Sequence, residues 1–258
     1  MNIIGLQFDI AWEDKPANFA TVRRLIDQVS PQPDSLVVLP EMFATGFSMN
    51  TAAVAENYGG QTEQFLGELA KAHRIFIVGG AVMRGRDSLA RNKAIIFSPT
   101  GDLIGFYAKM RPFTPGGELE HHTPGKKPVV FNWIDCRVSP FVCYDLRFPE
   151  LFREAAAINR PEIFAVIANW PEKRIEHWVT LLRARAIENQ AYVIGVNRIG
   201  SDPYYHYCGR SLIVNPQGEI ISDGGDRETI VSASVDLAVL AKYRKGLPFL
   251  DDLRSASA

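Results

Sequence analysis

The pattern of apolar and polar positions in the first third of the chain predicts strands that alternate with helices. Near-continuous apolar runs at residues 2–8, 36–39 and 75–78 have the length and composition of buried strands, and Gly79 and Gly80 are expected to end the third one. Between these runs, apolar residues recur at helical spacing, first up to Val29 and again over residues 62–73. This alternation is typical of a mainly parallel sheet covered by helices.

The middle of the chain changes character. Residues 92–98 and 103–107 flank the turn Pro99-Thr100-Gly101-Asp102, which predicts a β-hairpin. Residues 110–128 carry four prolines and three glycines without clear periodicity, so we expect a long loop there. Loops of this length inside compact domains are usually functional.

The second half of the chain returns to the alternating pattern. It predicts a helix from Pro149, a long helix over about 172–190, and strands at 138–142, 163–168, 192–197, 211–214, 219–221 and 229–235. The turn Asn215-Pro216-Gln217-Gly218 echoes Ser98-Pro99-Thr100-Gly101, which suggests two similar halves. Because no linker separates the halves, we expect one domain over residues 1–258.

Composition narrows the class of protein. The 258 residues are 47% hydrophobic and 22% charged, which is typical of a folded globular protein. The formal net charge of −1 offers no basic field for nucleic acid or an anionic membrane, and no apolar run approaches the roughly 18 residues of a membrane span. The N-terminus lacks the basic leader of a signal peptide, and three cysteines do not form a disulfide framework. We therefore expect a cytoplasmic protein without nucleic-acid or membrane partners.

One cysteine lies where α/β proteins bind ligands. The apolar strand 138–142 runs into Cys143 shortly before a predicted helix, and nearby helix-terminal N–H groups would favour the nucleophilic thiolate. An inert buried cysteine fits this segment equally well. Cys136, in a polar turn, and Cys208, in a loop, lack such a context and are expected to be structural.

A cysteine nucleophile needs a proton acceptor, and Glu41 is a better candidate than any histidine. No metal-ligand spacing involves the histidines, so no metal is expected; they are His73, His121, His122, His177 and His206. Glu41 directly follows the apolar strand 36–39, where partial desolvation should raise its pKa and make it a base. The alternative is an ordinary surface glutamate.

Lys109 supplies a possible positive charge, since it closes a predicted strand and opens the long loop. An ammonium beside the thiol would stabilise first a thiolate and then the oxyanion of a tetrahedral intermediate. Taken alone, most lysines are solvated surface groups.

The three segments together resemble the nitrilase (carbon–nitrogen hydrolase) superfamily. They are Leu-Pro-Glu-Met-Phe (39–43), Tyr-Ala-Lys-Met-Arg-Pro-Phe (107–113) and Val-Cys-Tyr-Asp-Leu-Arg-Phe-Pro-Glu-Leu (142–151). The resemblance extends to 184–190, Asn197-Arg198 and 209–211, and so spans essentially the whole chain. Cys-Tyr-Asp-Leu-Arg-Phe-Pro and Asn169-Trp170-Pro171 look most like the bacterial ω-amidase branch, which is similar to mammalian Nit2-type proteins.

The resemblance implies an αββα four-layer sandwich that forms a homodimer through its helical layer and hydrolyses a small amide without a cofactor. In this chain it makes Cys143 the nucleophile, Glu41 the general base, and Lys109 and the Tyr144 backbone N–H the oxyanion donors. A further glutamate follows the lysine in many members. Here it is Glu118 or Glu120, and spacing to Pro124-Gly125 favours Glu118.

The ω-amidase resemblance implies 2-oxo-ω-amic acids such as 2-oxoglutaramate as substrates. Arg111 and Arg147 are candidates to bind the α-carboxylate, although a structural ion pair with Glu150 is the slightly favoured interpretation of Arg147. Candidate walls of the site, for which core packing is the alternative, are Phe43, Phe113 and Trp170. An aliphatic amidase, an N-carbamoyl amino acid hydrolase, or a non-catalytic binding protein with the same fold remain alternatives.

Overall fold

The strands form two six-stranded sheets in a computed structural model that describes residues 1–253. In chain order the strands of this part are β1 (Asn2–Gln7), β2 (Leu36–Val38), β3 (Phe76–Arg84), β4 (Ala90–Phe97), β5 (Leu103–Ala108), β6 (Phe131–Trp133), β7 (Cys136–Val142), β8 (Ile163–Ile167), β9 (Tyr192–Val196), β10 (Ile199–Ser201), β11 (His206–Cys208), β12 (Leu212–Val214), β13 (Ile220–Asp223) and β14 (Thr229–Ser234). The first sheet has the order β14-β1-β2-β3-β4-β5 and the second β13-β12-β9-β8-β7-β6, while β10 and β11 form a separate two-stranded ribbon. Each sheet has three adjacent parallel strands at its centre, namely β1-β2-β3 and β7-β8-β9.

Helices cover the outer face of each sheet. Within residues 1–253 they are α1 (Lys15–Val29), α2 (Thr51–Val54), α3 (Gln61–His73), α4 (Glu118–His121), α5 (Pro149–Asn159), α6 (Ile175–Asn189) and α7 (Leu237–Gly246). Helices α1 and α3 pack on the first sheet, and α5 and α6 pack on the second. The layers are therefore helix, sheet, sheet, helix, which confirms the predicted αββα sandwich. None of these helices is both long and apolar enough to cross a lipid bilayer.

The central strands are apolar throughout because both of their faces are buried. Successive side chains of a strand point to opposite faces. Along β1, Ile3 belongs to the core between the two sheets, whereas Ile4 belongs to the core beneath α1 and α3. In the second sheet, the successive residues Phe164 and Ala165 of β8, which point to opposite faces, are both fully buried. The near-continuous apolar runs thus reflect the position of each sheet between a helical layer and the other sheet.

The third predicted strand does not end at its glycines. β3 continues through Gly79 and Gly80 to Arg84. A Cβ atom on Gly80 would lie 2.4 Å from the Met42 nitrogen and 2.5 Å from the Glu41 Cα atom. Gly80 therefore allows the segment after β2 to approach β3 closely, which is a packing role rather than a turn.

Other differences concern short elements. The long loop contains a 3-10 turn (Thr114–Gly116) and α4, and a second 3-10 turn (Glu172–Arg174) precedes α6. Cys136 lies at the buried start of β7 rather than in a turn. The strands β6, β10 and β11 were not predicted, because each has only three residues and, unlike β2 and β12, is not a continuous apolar run. The helix α7 was also missed.

Gly80→Ala should destabilise the protein by about 1–3 kcal/mol, because its methyl group has to displace backbone atoms of residues 40–42. Gly105→Ala is the matched control, since the nearest atom to its Cβ would lie at an ordinary 3.6 Å. Chemical denaturation of both variants measures the difference. Equal free energies of unfolding would contradict the proposed packing role of Gly80.

Candidate active site

Three chain segments that leave strands meet at one edge of the two sheets. Glu41 lies shortly after β2, Lys109 directly after β5 and Cys143 directly after β7. Glu41 is fully buried, Lys109 is 2% exposed and Cys143 is 8% exposed. The structure thus brings together the three residues that the sequence singled out.

The Lys109 ammonium lies between two carboxylates. Its Nζ atom donates to Glu41 Oε1 at 2.9 Å and to Glu118 Oε2 at 2.7 Å. Glu118 is fully buried at the start of α4, and its Oε2 atom also accepts from the Phe113 N–H at 2.6 Å. Glu120 is exposed. Of the two glutamates that the sequence left open, Glu118 is therefore the one in the site.

Two asparagines that sequence reasoning did not single out complete this network. The Asn92 side-chain amide donates to Glu41 Oε1 at 2.7 Å and to Glu118 Oε1 at 2.8 Å. The Asn169 backbone N–H donates to Glu41 Oε2 at 2.8 Å, and its side chain donates to the Glu41 carbonyl at 2.7 Å. Asn169 follows β8 directly, a position that gives the same signal as Glu41. Asn92 lies inside β4 between Arg91 and Lys93, so no apolar run or local motif marks it in the sequence.

The network determines the resting charges. Burial alone would raise the pKa of Glu41, but the Lys109 charge and the hydrogen bonds from Lys109, Asn92 and Asn169 outweigh it and lower that pKa. Burial opposes the charge of Lys109, yet the two carboxylates raise its pKa. Burial, followed by the Glu41 charge, raises the pKa of the Cys143 thiol well above its ordinary value.

These directions correct two expectations. The sequence suggested that Glu41 has a raised pKa and that Cys143 lies in surroundings that favour the thiolate. The resting site instead holds an ionised Glu41 beside a neutral Cys143 thiol. Sulfur attack must therefore be coupled to proton transfer to Glu41, as in general base catalysis.

Backbone geometry presents the thiol at the tip of a sharp turn. Cys143 has a φ of 48°, in the left-handed region that costs energy for a residue with a Cβ atom, and its Sγ lies 3.9 Å from the Asn169 carbonyl. Asp145 fastens this turn, since its carboxylate accepts from the Val142 N–H, the Tyr107 hydroxyl and the Arg111 N–H. Burial raises the pKa of Asp145 to about 7.

A cavity leads from the protein surface to Cys143. Its lining residues are Phe47, Phe113, Cys143, Tyr144, Arg147, Asn169, Trp170, Pro171, Arg174, Tyr205 and Tyr207. Three of the residues predicted to bind substrate, Phe113, Arg147 and Trp170, are among them. Arg174, Tyr205 and Tyr207 were not predicted, because nothing in a local motif shows that their segments fold over the turn of Cys143.

Two guanidinium groups in this cavity lack an acidic partner. Arg147 lies 4.7 Å from the centre of the Trp170 ring, and Arg174 lies 5.4 Å from that of Phe113. Among residues 1–253, neither arginine has a carboxylate within 4.0 Å, and the nearest side-chain partner of Arg147 is the His177 ring at 3.3 Å. Burial, followed by the Arg174 charge, lowers the pKa of Arg147. The cavity wall thus carries two guanidinium groups that no carboxylate of the described residues neutralises.

Two residues predicted to bind substrate lie elsewhere. Phe43 is fully buried beneath the helical layer, with its ring centre 6.2 Å from that of Phe65, so it belongs to the core. Arg111 reaches Glu150 at 3.6 Å and does not line the cavity. The ion pair considered for Arg147 and Glu150 is therefore made by Arg111 instead.

The remaining cysteines lie outside the cavity. Cys136 is buried in β7, where burial raises its pKa to about 12, and Cys208 is half-buried on β11. Within the part of the chain that the structure describes, no group of three His, Cys, Asp or Glu side chains is arranged to hold a metal ion. The chemistry available in the cavity is that of a thiol, a base and a fixed positive charge.

Comparisons with known proteins agree with this geometry. The family model named "Carbon-nitrogen hydrolase" matches residues 4–245. The chain is 37% identical to the ω-amidase YafV of Escherichia coli K12 over 98% of this chain and 96% of that protein. It is 35% identical to the 2-oxoglutaramate amidase of Bacillus subtilis 168, with 96% of both chains covered. A crystal structure of a carbon–nitrogen hydrolase superfamily protein from Xanthomonas campestris, with an arsenic adduct in its active site, is 32% identical and has a TM-score of 0.94, covering 100% of this chain and 98% of that one.

Lys109→Met should destabilise the protein by about 3–5 kcal/mol at pH 8, because it leaves Glu41 and Glu118 buried without their cation. In the wild type the lowered pKa of Glu41 contributes stability above the ordinary glutamate pKa, and this stability is lost as the pH falls through the lowered value. In the variant, burial raises that pKa, so stability is lost as the pH rises.

Thermal unfolding at pH 5 and pH 8 measures this difference, with Lys242→Met on the exposed surface of α7 as the control. The deficit of Lys109→Met should be smaller at pH 5 than at pH 8. A deficit that does not depend on pH would show that Lys109 does not hold the Glu41 carboxylate in its charged state.

Proposed function

The chain belongs to the carbon–nitrogen hydrolase family, and we propose that it is an ω-amidase that hydrolyses the terminal amide of 2-oxo-ω-amic acids such as 2-oxoglutaramate to the 2-oxo dicarboxylate and ammonia. One observation carries the proposal. The cavity joins a thiol and a Glu–Lys–Glu network at its floor to two unpaired guanidinium groups on its wall. Amide hydrolysis needs the first set, and a substrate carboxylate matches the second.

The proposed reaction begins with Glu41 and Cys143. Glu41 takes the thiol proton while Sγ forms a bond to the amide carbon, which gives a tetrahedral intermediate. The C–N bond then breaks as the protonated Glu41 gives its proton to the leaving ammonia. Water, deprotonated by the same carboxylate, attacks the thioester, and cleavage of the C–S bond releases the acid and restores the thiol.

The negative charge of the tetrahedral intermediate develops on the former amide oxygen. The Lys109 ammonium and the Tyr144 backbone N–H, which lies at the start of the 3-10 turn Cys143–Arg147, would donate to it. Glu118 acts through Lys109, because its hydrogen bond fixes the position of the ammonium. Glu118 is thus a positioning residue in this proposal.

Recognition of the substrate is assigned to the cavity wall. The guanidinium groups of Arg147 and Arg174 would bind the carboxylate and the neighbouring 2-oxo group, while Phe113 and Trp170 pack against the short carbon chain. The Trp170 backbone is held in place by Asn197, whose side chain accepts from its N–H at 2.7 Å and donates to its carbonyl at 3.0 Å.

The guanidinium groups of Arg147 and Arg174 also distinguish between the alternative functions, because only some of the candidate substrates carry a carboxylate. A neutral aliphatic amide would leave both of them without a partner, so an aliphatic amidase fits the cavity poorly. An N-carbamoyl amino acid carries a carboxylate, and its hydrolase is therefore the second candidate. A non-catalytic binding protein would have no chemical need for a buried thiol beside an ionised glutamate.

We also propose a cytoplasmic homodimer. Helices α5, α6 and α7 and the residue after α7 expose Ile158, Ile187, Val239 and Leu247, which are 44–68% accessible to solvent, and burial of these side chains would favour association. All three cysteines are free thiols, in keeping with a reducing compartment. Sedimentation velocity at micromolar concentration tests the dimer, and a purely monomeric protein would contradict it.

Ammonia release from 2-oxoglutaramate, glutamine, an aliphatic nitrile and an N-carbamoyl amino acid tests the proposed function. We expect 2-oxoglutaramate to be hydrolysed with the highest kcat/KM, and Cys143→Ala to abolish turnover. Glu118→Gln should lose about 100-fold in kcat, because the oxyanion donor is no longer held, whereas exposed Glu120→Gln should be unaffected. Activity on the nitrile or the carbamoyl compound alone would rule out an ω-amidase.

Arg147→Met and Arg174→Met should each raise KM for 2-oxoglutaramate by about 10- to 100-fold, the value of one hydrogen bond to a charged group. Methionine keeps the apolar stem, so the packing on the aromatic rings changes little. Arg111→Met is the control, because Arg111 pairs with Glu150 outside the cavity. An equal rise in KM for all three variants would contradict the assignment of the carboxylate to the cavity arginines.

A further inference from the structure

A second cleft of about 600 Å³ lies on the other side of β4 and β5 from the catalytic network. Its lining residues are Tyr58, Gly85, Arg86, Asp87, Arg91, Lys93, Phe106, Ala108, Thr123, Pro124, Gly125, Lys126, Lys127 and Val129. Five of these side chains are basic and one is acidic. The cleft therefore concentrates positive charge, although the whole chain has a formal net charge of −1.

Lys93 is the central feature of this cleft. The residue is 1% exposed, yet among residues 1–253 its ammonium has no hydrogen-bond acceptor and no carboxylate within 4.0 Å. Its directly opposite neighbour on β5 is Ala108, which offers no side-chain acceptor. The Glu63 and Asp87 carboxylates act on this charge only from beyond 4.0 Å, so the N–H donors of a buried ammonium remain available to a further anion.

Aromatic rings compensate for only part of this cost. The Lys93 Nζ atom lies 4.0 Å from the centre of the Phe106 ring and 5.1 Å from that of Tyr58. Both rings are themselves partly exposed, at 39% and 51%. Cation–π contacts of this kind stabilise the ammonium but leave its N–H donors free.

The surrounding cations extend the site. Arg91 is paired with Asp87 at 2.6 Å, which neutralises the one acidic residue of the lining. Among the described residues, Arg86, Lys126 and Lys127 have no carboxylate within 4.0 Å. Lys126 and Lys127 follow Gly125, whose N–H donates to the Lys109 carbonyl at 2.8 Å and so holds this segment beside β5.

We propose that this cleft binds a small polyvalent oxyanion, a molecule with at least two phosphate or carboxylate groups, with Lys93 as the buried anchor. Lys126 and Lys127, and the guanidinium of Arg86, would contact its outer charged groups. The site is separate from the catalytic cavity, because no residue lines both. Anion binding in this cleft does not require the amidase chemistry, so each of the two proposals can be tested without the other.

Isothermal titration calorimetry at low ionic strength, with inorganic pyrophosphate in one arm and citrate in the other, tests the proposal. We expect saturable binding of at least one of the two anions, and the arm that binds identifies phosphate or carboxylate as the preferred group. Lys93→Met keeps the apolar stem and should weaken binding by about 10- to 100-fold. Arg147→Met, in the catalytic cavity, should bind as the wild type does.

A second pair of variants covers the case in which Lys93→Met does not fold. Lys126→Ser with Lys127→Ser removes two exposed charges of the cleft, and Lys71→Ser with Lys242→Ser removes two exposed charges elsewhere. Only the first pair should weaken binding, by about ten-fold or more. No saturable heat with either anion, or equal losses in the two pairs, would overturn the proposal.

Discussion

The ammonium of Lys109, held between Glu41 and Glu118, is the interaction on which the rest of the site depends. Two buried carboxylates this close together repel each other, and a cation between them removes most of that cost. With Lys109 in place, the donors of Asn92, Asn169 and the Phe113 backbone satisfy the remaining oxygen atoms. Burial keeps the Cys143 thiol neutral, and the charges of Glu41 and Glu118, which Lys109 only partly offsets, act in the same direction. In the resting site the ionised group is therefore the base, Glu41, and the nucleophile Cys143 is a neutral thiol.

The architecture delivers these groups from two sheets. Glu41 and Lys109 leave strands of the first sheet, while Cys143 and Asn169 leave strands of the second. The hydrogen bonds from Asn169 to Glu41 cross between the sheets, so the base and the nucleophile are aligned only when the two sheets pack correctly. Gly80 contributes at a distance, because its missing side chain lets the segment of Glu41 rest against β3. The alignment of the active site therefore depends on the packing of the apolar core between the sheets.

The sequence predicted those parts of the site that obey a local rule. Glu41, Lys109 and Cys143 each follow an apolar run of strand length, and the resemblance to a known superfamily joined them. Asn92 was not predicted, because it lies within a strand, and only the packing of the two sheets shows which face of that strand borders the active site. Arg174 was not predicted, because its segment reaches the cavity only through tertiary packing. Arg111 was wrongly predicted to bind substrate, because its closeness to Lys109 in sequence does not place it in the same cavity. The direction of the Glu41 pKa could not be derived either, since it depends on whether burial or the ion pair dominates.

The cations of the active site differ in whether a carboxylate neutralises them. Lys109 is neutralised by its own carboxylates and therefore cannot capture a free anion, although it can stabilise charge that develops on a bound substrate. Among residues 1–253, Arg147 and Arg174 have no such partners, and both line the cavity that an incoming carboxylate would enter. Their separation along the cavity wall means that recognition and catalysis use different cations. A neutral amide of the same length could still reach Cys143, but nothing would hold its far end, and so selectivity for an anionic substrate should arise in binding rather than in the chemical step.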